Sequence, residues 1–461
     1  MSDSTAALGS LGVTFFFSLT NLPTIVAEWA ALLPLILHLA NPRFDAELVG
    51  RVSLLGRLST DIFPRLGTAR SISRLLENPG KFLDQTSAAN KQVWDVKHGG
   101  RFPSANGAAS DTMTDTLARH VQPVPAVEKT TAPKVPEHAN KEHKPSAAAH
   151  SKASETQFRR PQRLRIFHCR RKEYRRLSKM NPSEWQDKAP ATMLYVVGMV
   201  GVAVVLGLYG LFGTCACLVI SVISTVACRL VKFRRVANFL KSNEIDKSGG
   251  LRPDGCMLCA THPNSYEWDL FVGDRGIIDA LLNKPMITID DVTSPWLILW
   301  FRSADVLQLL AMTFAAAQKG WDGVALVILM LFDWLVVFIA NMGGRVVQNF
   351  MRDNHLSVKV WTLDFPGKLS RRQVCRLLTD SLGRVAMLAA IYRCSESDSW
   401  TWMDDIIVPT SRRDALLRQS QWEDLQHVQT LSEVDRDWVC CNLTWTRDAV
   451  GRIGQAFIYN D

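Results

Sequence analysis

The longest uncharged run is the sequence feature that most constrains the fold. From Ala191 to Cys228 the chain carries no charged side chain, about twice the roughly 20 residues that a helix needs to cross a bilayer. Gly207, Gly210 and Gly213 lie near its middle and permit a tight turn. A buried helix of a soluble protein would show a polar face, and none is visible. The run therefore predicts a transmembrane helical hairpin over 191–231.

Basic residues flank this hairpin on both sides, in "RRPQRLRIFHCRRKEYRRLSKM" before it and "RLVKFRRVANFLK" after it. The positive-inside bias assigns both flanks to the cytosol. We expect a basic juxtamembrane segment at 159–190, contacting anionic lipid headgroups through 159–179 at about 1 kcal/mol per basic residue. A solvated stretch without a specific partner is the alternative. The net charge of +9 would also suit nucleic acid, but basic residues crowd beside apolar runs, so no nucleic-acid partner is expected.

A second apolar pair covers 295–342. Its segments, 295–317 and 321–342, contain Arg302, Asp305 and Asp333. Intramembrane charges usually face a partner or a water-filled cavity. Either both segments span as a hairpin, with Asp333 facing Arg302, or the first lies at the interface and only the second crosses. Arg345, Arg352 and Lys359 follow and favour the hairpin, because they would then remain cytosolic.

The N-terminal third is more ambiguous. The region 1–84 contains an apolar segment at 11–40, which is either a further span or an interfacial helix, because Pro23, Glu28 and Pro34 interrupt it. The segment 85–158 is rich in Ala, Pro, Lys and Ser, with few large apolar residues near its end. Such a composition buries too little surface to offset the entropy of ordering, so it predicts a disordered linker.

The rest of the chain, 232–294 and 343–461, predicts a mixed α/β cytosolic portion. "GCMLCATH", "PMITID" and "LSVKVWTLDFP" favour strands. "GIIDALLNK", "SRRQVCRLLTDSLGRVAMLAAIYR" with Ser370 as N-cap, "TSRRDALLRQSQWEDLQHVQT" and "TWTRDAVGRIGQAFIY" favour helices. The fold class is therefore an α-helical multi-pass membrane protein, with two helical hairpins, a candidate N-terminal span and this α/β portion.

Ten cysteines form no disulfide pattern and indicate reduced, buried residues. Cys256 and Cys259 with His262 resemble half of a zinc site, which needs four ligands. No second cysteine pair of that kind follows. In an extended strand the two thiols would also point to opposite faces. Neither a metal nor another cofactor is expected.

A polar stretch follows the first predicted strand. His262 and Glu267 are five apart, and a histidine oriented by an acid can act as general base toward an alcohol. With Asp269 they are the candidate catalytic residues. The arrangement resembles the His-x4-Asp motif of glycerolipid acyltransferases, which implies a membrane enzyme joining an acyl thioester to a lipid alcohol. The family's Phe-Pro-Glu-Gly stretch is matched by Phe365-Pro366-Gly367, without the glutamate.

The alternative is a hydrogen-bonded polar turn after a strand. Asp274 is then a predicted cap of the following helix, and Arg275 a predicted partner of Glu267 or Asp269.

Residues 190–461 resemble, as a whole, a group of multi-pass membrane proteins of filamentous fungi. The quoted segments carry the resemblance, together with "WTWMDD". It implies membrane residence and a fungal source, with no reaction, cofactor or catalytic residue.

Three functions follow as hypotheses. The favoured one is a membrane-anchored interaction or scaffold module, because the predicted cytosolic portion is large and the predicted membrane helices are few. A transporter or channel subunit using Asp333 is the second, with a homo-oligomer supplying enough helices to enclose a path. A membrane acyltransferase using His262 and Glu267 is the third. The sequon at Asn442 is predicted to be unmodified, since the C-terminal region is expected in the cytosol.

Overall fold

A computed structural model describes residues 23–39, 44–58, 67–88, 91–119, 161–171, 189–235, 239–240, 254–289, 294–318, 320–342, 344–365, 383–397, 399–420 and 430–457. Its helices are α1 (Thr24–Leu39), α2 (Phe44–Leu55), α3 (Thr68–Glu77), α4 (Pro79–Ala88), α5 (Gly107–Ala118), α6 (Ala189–Leu208), α7 (Phe212–Leu230), α8 (Arg275–Leu282), α9 (Pro295–Gln318), α10 (Trp321–Met342), α11 (Arg345–Asp353), α12 (Arg384–Cys394), α13 (Ser411–Ser420) and α14 (Glu433–Phe457). Its strands are β1 (Gln92–Asp95), β2 (Arg101–Pro103), β3 (Gln162–Arg171), β4 (Phe233–Arg234), β5 (Asp254–Ala260), β6 (Glu267–Asp274), β7 (Thr288–Ile289) and β8 (Leu356–Phe365).

Helices α6 and α7 form the hairpin predicted from the uncharged run. Gly210 adopts φ 78° at the turn, a left-handed conformation that costs glycine little. The Leu211 N–H donates to the Leu206 carbonyl and the Gly210 N–H donates to the Gly207 carbonyl, each at 3.0 Å. This pair of bonds is a Schellman motif, which satisfies the last carbonyls of α6 before the chain reverses.

Helices α9 and α10 pack beside this hairpin, and Asp322 joins their turn to α7. The buried carboxylate accepts from the backbone N–H groups of Gly213 and Thr214, each at 2.8 Å. It also accepts from the Thr214 hydroxyl at 2.5 Å. A carboxylate is stabilised at the positive end of a helix, so Asp322 caps α7 from a different helix. The two hairpin turns therefore lie at the same end of the helices.

Six strands form one mixed sheet in the order β2-β1-β5-β6-β3-β8. The β3–β6 pair is parallel, with Arg165 beside Asp269, and the remaining neighbours are antiparallel. Strands β4 and β7 form a separate two-stranded ladder. The strands β5 and β8 and the helix α8 agree with the sequence predictions, and Ser370 lies outside the described residues.

The sheet has two buried faces, which we call face 1 and face 2. Face 1 includes Met257 and Phe271 and shares its core with Cys228 of α7 and Phe301 of α9. Face 2 includes Leu258 and Leu270 and is covered by α12, α13 and α14. The apolar helices and the sheet are thus joined through one continuous core on face 1.

Two described helices, α7 and α9, are long and apolar enough to cross a membrane. Large apolar side chains are exposed along α1, α6, α7, α9 and α10, for example Trp29 (68%), Leu194 (76%) and Leu331 (58%). A water-soluble monomer rarely exposes a continuous apolar surface of that extent. These findings support membrane association.

The disorder predicted for 85–158 is wrong where the structure describes folded residues. Residues 91–119 contain β1, β2 and α5, and the Trp94 side chain is fully buried. The short apolar segments within 91–119 contribute little to the composition of 85–158, because the polar residues of 120–158 dominate it. Residues 120–158 lie outside the described residues.

The structure also differs in part from the basic juxtamembrane segment predicted at 159–190. Residues 162–171 form β3, which lies inside the sheet between β6 and β8. Arg163 and Arg165 alternate with the buried Leu164 and Ile166, and carboxylates of the neighbouring strands pair with the two arginines. These two arginines are therefore engaged within the protein, and residues 172–188 lie outside the described part.

The predicted pairing of Asp333 with Arg302 is wrong. Arg302 contacts the carboxylate of Glu77 on α3 at 3.1 Å. Asp305 accepts a hydrogen bond from the Gly67 backbone N–H at 2.9 Å. Sequence spacing could not predict these contacts, because they join α9 to a helix more than two hundred residues earlier. Asp333 is buried in α10.

Candidate functional site

The strongest cluster of charges among the described residues lies on face 1 of the sheet, where β1, β3, β6 and α5 meet. Lys91 immediately precedes β1, Arg165 lies on β3 and Asp269 lies on β6. Asp111 comes from α5, which packs over this end of the sheet. The parallel pairing of β3 with β6 brings Arg165 and Asp269 into register. We call Lys91, Arg165, Asp269 and Asp111 the charge cluster.

Asp269 is the centre of the charge cluster. Its Oδ2 lies 2.8 Å from the Lys91 Nζ, and its Oδ1 accepts from the Arg165 Nε at 2.6 Å. The Lys91 Nζ also lies 2.5 Å from Asp111 Oδ1. The side chains of Asp269 and Lys91 are 3% and 7% exposed, so water contributes little to their solvation. Both carboxylate oxygens of Asp269 are thus bound by cations.

Glu267 lies at the rim of the same cluster. Its carboxylate contacts Arg163 at 3.5 Å and Arg165 at 3.8 Å. Arg163 also donates to Asp364 of β8 at 2.8 Å. These outer pairs are more exposed than the Lys91–Asp269 pair, so they contribute less to stability.

Burial and charge act in opposite directions on Lys91. Burial lowers the pKa of its ammonium, but the carboxylates of Asp269 and Asp111 raise that pKa by more. The pKa of Lys91 therefore lies above its ordinary value, and the side chain is held protonated. A lysine acts as nucleophile only when deprotonated. This geometry favours a structural role for Lys91, in which its ion pairs hold β1, β3, β6 and α5 together, over covalent catalysis.

His262 lies in the turn between β5 and β6. Its side chain is exposed, and its Nδ1 accepts from the Asn264 backbone N–H at 3.0 Å. Arg384 of α12 binds the same turn, donating to the Pro263 carbonyl at 2.8 Å and to the Asn264 side chain. The turn is therefore held by backbone and side-chain hydrogen bonds, as the alternative of a polar turn predicted.

The three candidate catalytic residues are not brought together as a base and its orienting acid. Among the described residues, no hydrogen bond joins His262 to Glu267 or Asp269; the two carboxylates contact Arg163, Arg165 and Lys91 instead. An acid-oriented histidine base donates from Nδ1 and accepts at Nε2. The Nδ1 of His262 instead accepts from the Asn264 backbone N–H, so this atom is not donating to an orienting acid.

The cysteine pair beside this turn has the geometry expected from its spacing. Cys259 is buried in the core of face 1 and Cys256 in the core of face 2, so the two thiols lie on opposite sides of the sheet. Burial raises the pKa of both thiols, which disfavours the thiolate that binds metal. Within the described ranges there is no group of three or more His, Cys, Asp or Glu residues that could hold a metal ion.

The remaining predictions for this stretch have mixed outcomes. Asp274 caps α8 as expected, since its carboxylate accepts from the Gly276 N–H at 2.9 Å. The pairing of Arg275 with Glu267 or Asp269 is wrong: Arg275 contacts Asp95 at 3.1 Å and Asp279 at 3.6 Å. Arg275 begins a helix that turns it away from the opposite end of β6, where Glu267 and Asp269 lie.

Three members of the charge cluster were missed in the sequence. Lys91 and Asp111 fall in the region predicted to be disordered, and Arg165 falls in the predicted basic segment. The alternation Arg163-Leu164-Arg165-Ile166 has the period of a strand and was the available signal. No comparable signal links Lys91 to Asp269, which are 178 residues apart.

No known protein family, curated protein or solved structure matches this chain. The likeness to multi-pass membrane proteins of filamentous fungi therefore stays a prediction from the sequence.

Proposed function

We propose that this chain is a multi-pass membrane protein whose α/β portion is an interaction module held at the membrane surface. The observation that carries the proposal is the continuous core on face 1, which includes residues of the sheet, of α7 and of α9. A shared core resists relative motion far better than a flexible tether. The sheet would then be fixed beneath the apolar helices, with α12, α13 and α14 facing away from the bilayer.

The surface around α13 and α14 supports an interaction role. Val408 and Val434 are 73% and 77% exposed, although both lie in the α/β portion. Arg412 of α13 contacts α14 near Val434. Its guanidinium carbon lies 4.9 Å from the Trp438 ring centroid, and its Nη1 lies 3.7 Å from an Asp435 oxygen. Exposed apolar residues beside Trp and Arg have the composition of binding hot spots. We call Val408, Arg412, Val434, Asp435 and Trp438 the distal patch.

The membrane part of the proposal is tested by extraction and labelling. We expect the chain to stay in the pellet after an alkaline carbonate wash. In sealed vesicles with the cytosolic face outward, an impermeant maleimide is expected to label Cys440, whose side chain is exposed on α14. Release of the chain by carbonate, or labelling of Cys440 only after the vesicles are opened, would contradict the proposed anchoring or topology.

The interaction part is tested by affinity purification of the full chain in mild detergent. The variant V408D/V434D places two charges in the distal patch. It is expected to lose proteins that co-purify with the unsubstituted chain. R418D is the matched control, because it also adds an aspartate to an exposed position of α13 outside the patch. Identical co-purifying proteins from all three chains would argue against a role for the distal patch.

Transport is a second candidate, favoured by the buried position of Asp333 in α10. A carboxylate within an apolar helix is costly and often marks an ion or solute path. Reconstituted D333N protein that keeps the solute or ion flux of the unsubstituted protein would remove this support. A loss of flux with unchanged protein level would favour transport over scaffolding.

A further inference from the structure

An open groove runs between α7 and α9 along their exposed side. It has a volume of about 730 Å³, which falls within the range of small-ligand sites, roughly 300–1,000 Å³. Ten described residues line it, of which none is charged and nine are apolar. The lining includes Phe212, Ala216 and Ile220 of α7 and Leu307, Leu310 and Phe314 of α9. We call this the apolar groove.

Close contact between the two helices forms the floor of the apolar groove. A Cβ added to Gly213 would lie 2.7 Å from the Ala315 Cβ and 3.0 Å from the Ala311 carbonyl oxygen, so the helices approach as closely as a glycine allows. The walls are made of large side chains such as Leu310 and Phe314, which are 59% and 48% exposed. The groove is therefore narrow at its floor and open on the side where lipid would lie.

The polarity of the apolar groove fits hydrocarbon. Thr313 is the polar residue among the described ones that line it, and its hydroxyl donates to the Leu310 carbonyl of the same helix at 2.8 Å. The hydroxyl proton is thus used within α9. A polar or charged occupant would lose its hydration here without gaining a charged partner, which is costly.

The apolar groove extends through about half of the bilayer. From Leu307 to Ala317 it covers about 15 Å along α9, whereas a hydrocarbon core is about 30 Å thick. Its outer end lies at the hairpin turns, away from the sheet. One helical turn beyond Ile220, toward the sheet, the Trp300 Nε1 donates to the Ser224 hydroxyl at 3.3 Å, so this side chain crosses from α9 to α7. The groove is therefore open at the turns and closed near the middle of the bilayer.

We propose that the apolar groove holds an acyl chain of a phospholipid from the leaflet farther from the sheet. The competing occupant is a transmembrane helix of a second copy of this chain. Such a helix continues across the whole hydrocarbon core, and the Trp300 side chain leaves it no groove to follow beyond the middle. An acyl chain ends near the middle of the bilayer, so it matches a groove that closes there. The inference rests on the proposed membrane placement of α7 and α9.

Photo-cross-linking of the full chain, after its transfer from the membrane into detergent, tests this inference. A photoreactive p-benzoylphenylalanine replaces Leu310 or, as the matched control, Leu309. Both leucines are exposed, at 59% and 43%, and lie at the same depth on α9, but only Leu310 lines the groove. Detergent dilutes freely exchanging lipid, so we expect a phospholipid adduct, identified by its mass, at position 310 and little at position 309.

Three results of the cross-linking would overturn the inference. Equal adduct yields at the two positions would indicate bulk lipid. A cross-link from position 310 to a second copy would assign the groove to an oligomer interface. An adduct with a sterol alone would assign it to a different lipid.

A second measurement fills the groove. A216W places a large side chain in it, and V219W is the control, because Val219 is 43% exposed on the same helix but lies outside the lining. In native mass spectrometry we expect A216W to lose the phospholipid that the unsubstituted chain and V219W retain. Retention by A216W, or an equal loss by both variants, would contradict the inference. The cross-linking result stands even if A216W fails to fold.

An alkaline carbonate wash of the unsubstituted chain precedes both measurements. Release of the chain at this step would overturn the membrane placement of α7 and α9, and the inference with it. A chain that resists carbonate but yields equal adducts at positions 309 and 310 would overturn the lipid inference alone.

Discussion

Removal of Asp269 is the sharpest test of the charge cluster. The variant D269A leaves Lys91 with Asp111, which is 39% exposed, and leaves Arg165 with carboxylates at 3.8 and 3.9 Å. Breaking a buried ion pair from one side costs about 3–5 kcal/mol, because the remaining charge stays buried. At roughly 2–4 °C per kcal/mol for a domain of this size, the melting temperature should fall by about 6–20 °C.

The matched control is D364A. Asp364 also pairs with an arginine of β3, at 2.8 Å, but its side chain is 62% exposed. Exposed pairs contribute roughly 0–1 kcal/mol, so this variant should unfold within about 4 °C of the unsubstituted protein.

The assay is thermal unfolding of the solubilised full chain, followed by tryptophan fluorescence. Trp268 is fully buried next to Asp269 and donates to Gln162 at 2.8 Å, so it reports on this part of the sheet. Equal shifts for D269A and D364A, or no shift for D269A, would refute the assignment of Asp269 as the centre of the cluster.

The same cluster determines an alkaline response. The pKa of Lys91 is raised in the folded protein, first by Asp269 and then by Asp111, against the opposing effect of burial. Its contribution to stability should therefore be fully present below the unfolded pKa, about 10.4, and be lost as the pH rises through the folded value. The stability gap between the unsubstituted chain and K91M should be constant from neutral pH to about pH 10 and shrink above it. A gap that shrinks already between pH 7 and 9 would contradict the raised pKa.

Three further outcomes are expected. Iodoacetamide should modify Cys440 in the native protein but spare Cys259 until unfolding, because Cys259 is fully buried and its thiol pKa is raised by burial; mass spectrometry of tryptic peptides distinguishes the two. G213A should cost about 1–3 kcal/mol, since its added Cβ would lie 2.7 Å from Ala315 Cβ, whereas G198A, with nothing within 4 Å, should be neutral or slightly stabilising in a melting experiment. Asn442 should show no glycosidase-sensitive gel shift, because its side chain is 2% exposed and donates to the Trp438 carbonyl at 2.8 Å within α14.

The elements that the sequence predicted well are those with strong local signals. The uncharged run and its glycines specify α6 and α7, and the Gly210 turn follows from the backbone freedom of glycine. The apolar stretch around Cys256 and Cys259 specifies β5, because it is bounded by turn residues. Each of these elements is determined by residues close to it in the chain. A single sequence therefore contains the information needed to predict it.

The elements that were missed depend on distant partners. In the sequence, the arginines of β3 resemble a basic segment that contacts the membrane. The carboxylates that pair with them lie on β6 and β8, far away along the chain. The strand β1 is short, and its burial depends on pairing with β5, more than 150 residues later. His262 and Glu267 have an acid–base spacing, yet the actual partner of Glu267 is an arginine a hundred residues earlier. Spacing along the chain does not reveal which charges meet across a sheet.

The order of the strands in the sheet bears on how the protein is made. Strand β3 pairs with β6 and β8; the first apolar hairpin separates it from both partners in the sequence, and the second also separates it from β8. During synthesis β3 emerges long before either neighbour and presents two unpaired edges. Such edges invite wrong pairing until they are covered. Delayed insertion of either hairpin should therefore leave the nascent chain dependent on chaperones that shield extended segments, and should make assembly of the sheet the slow stage of its biogenesis.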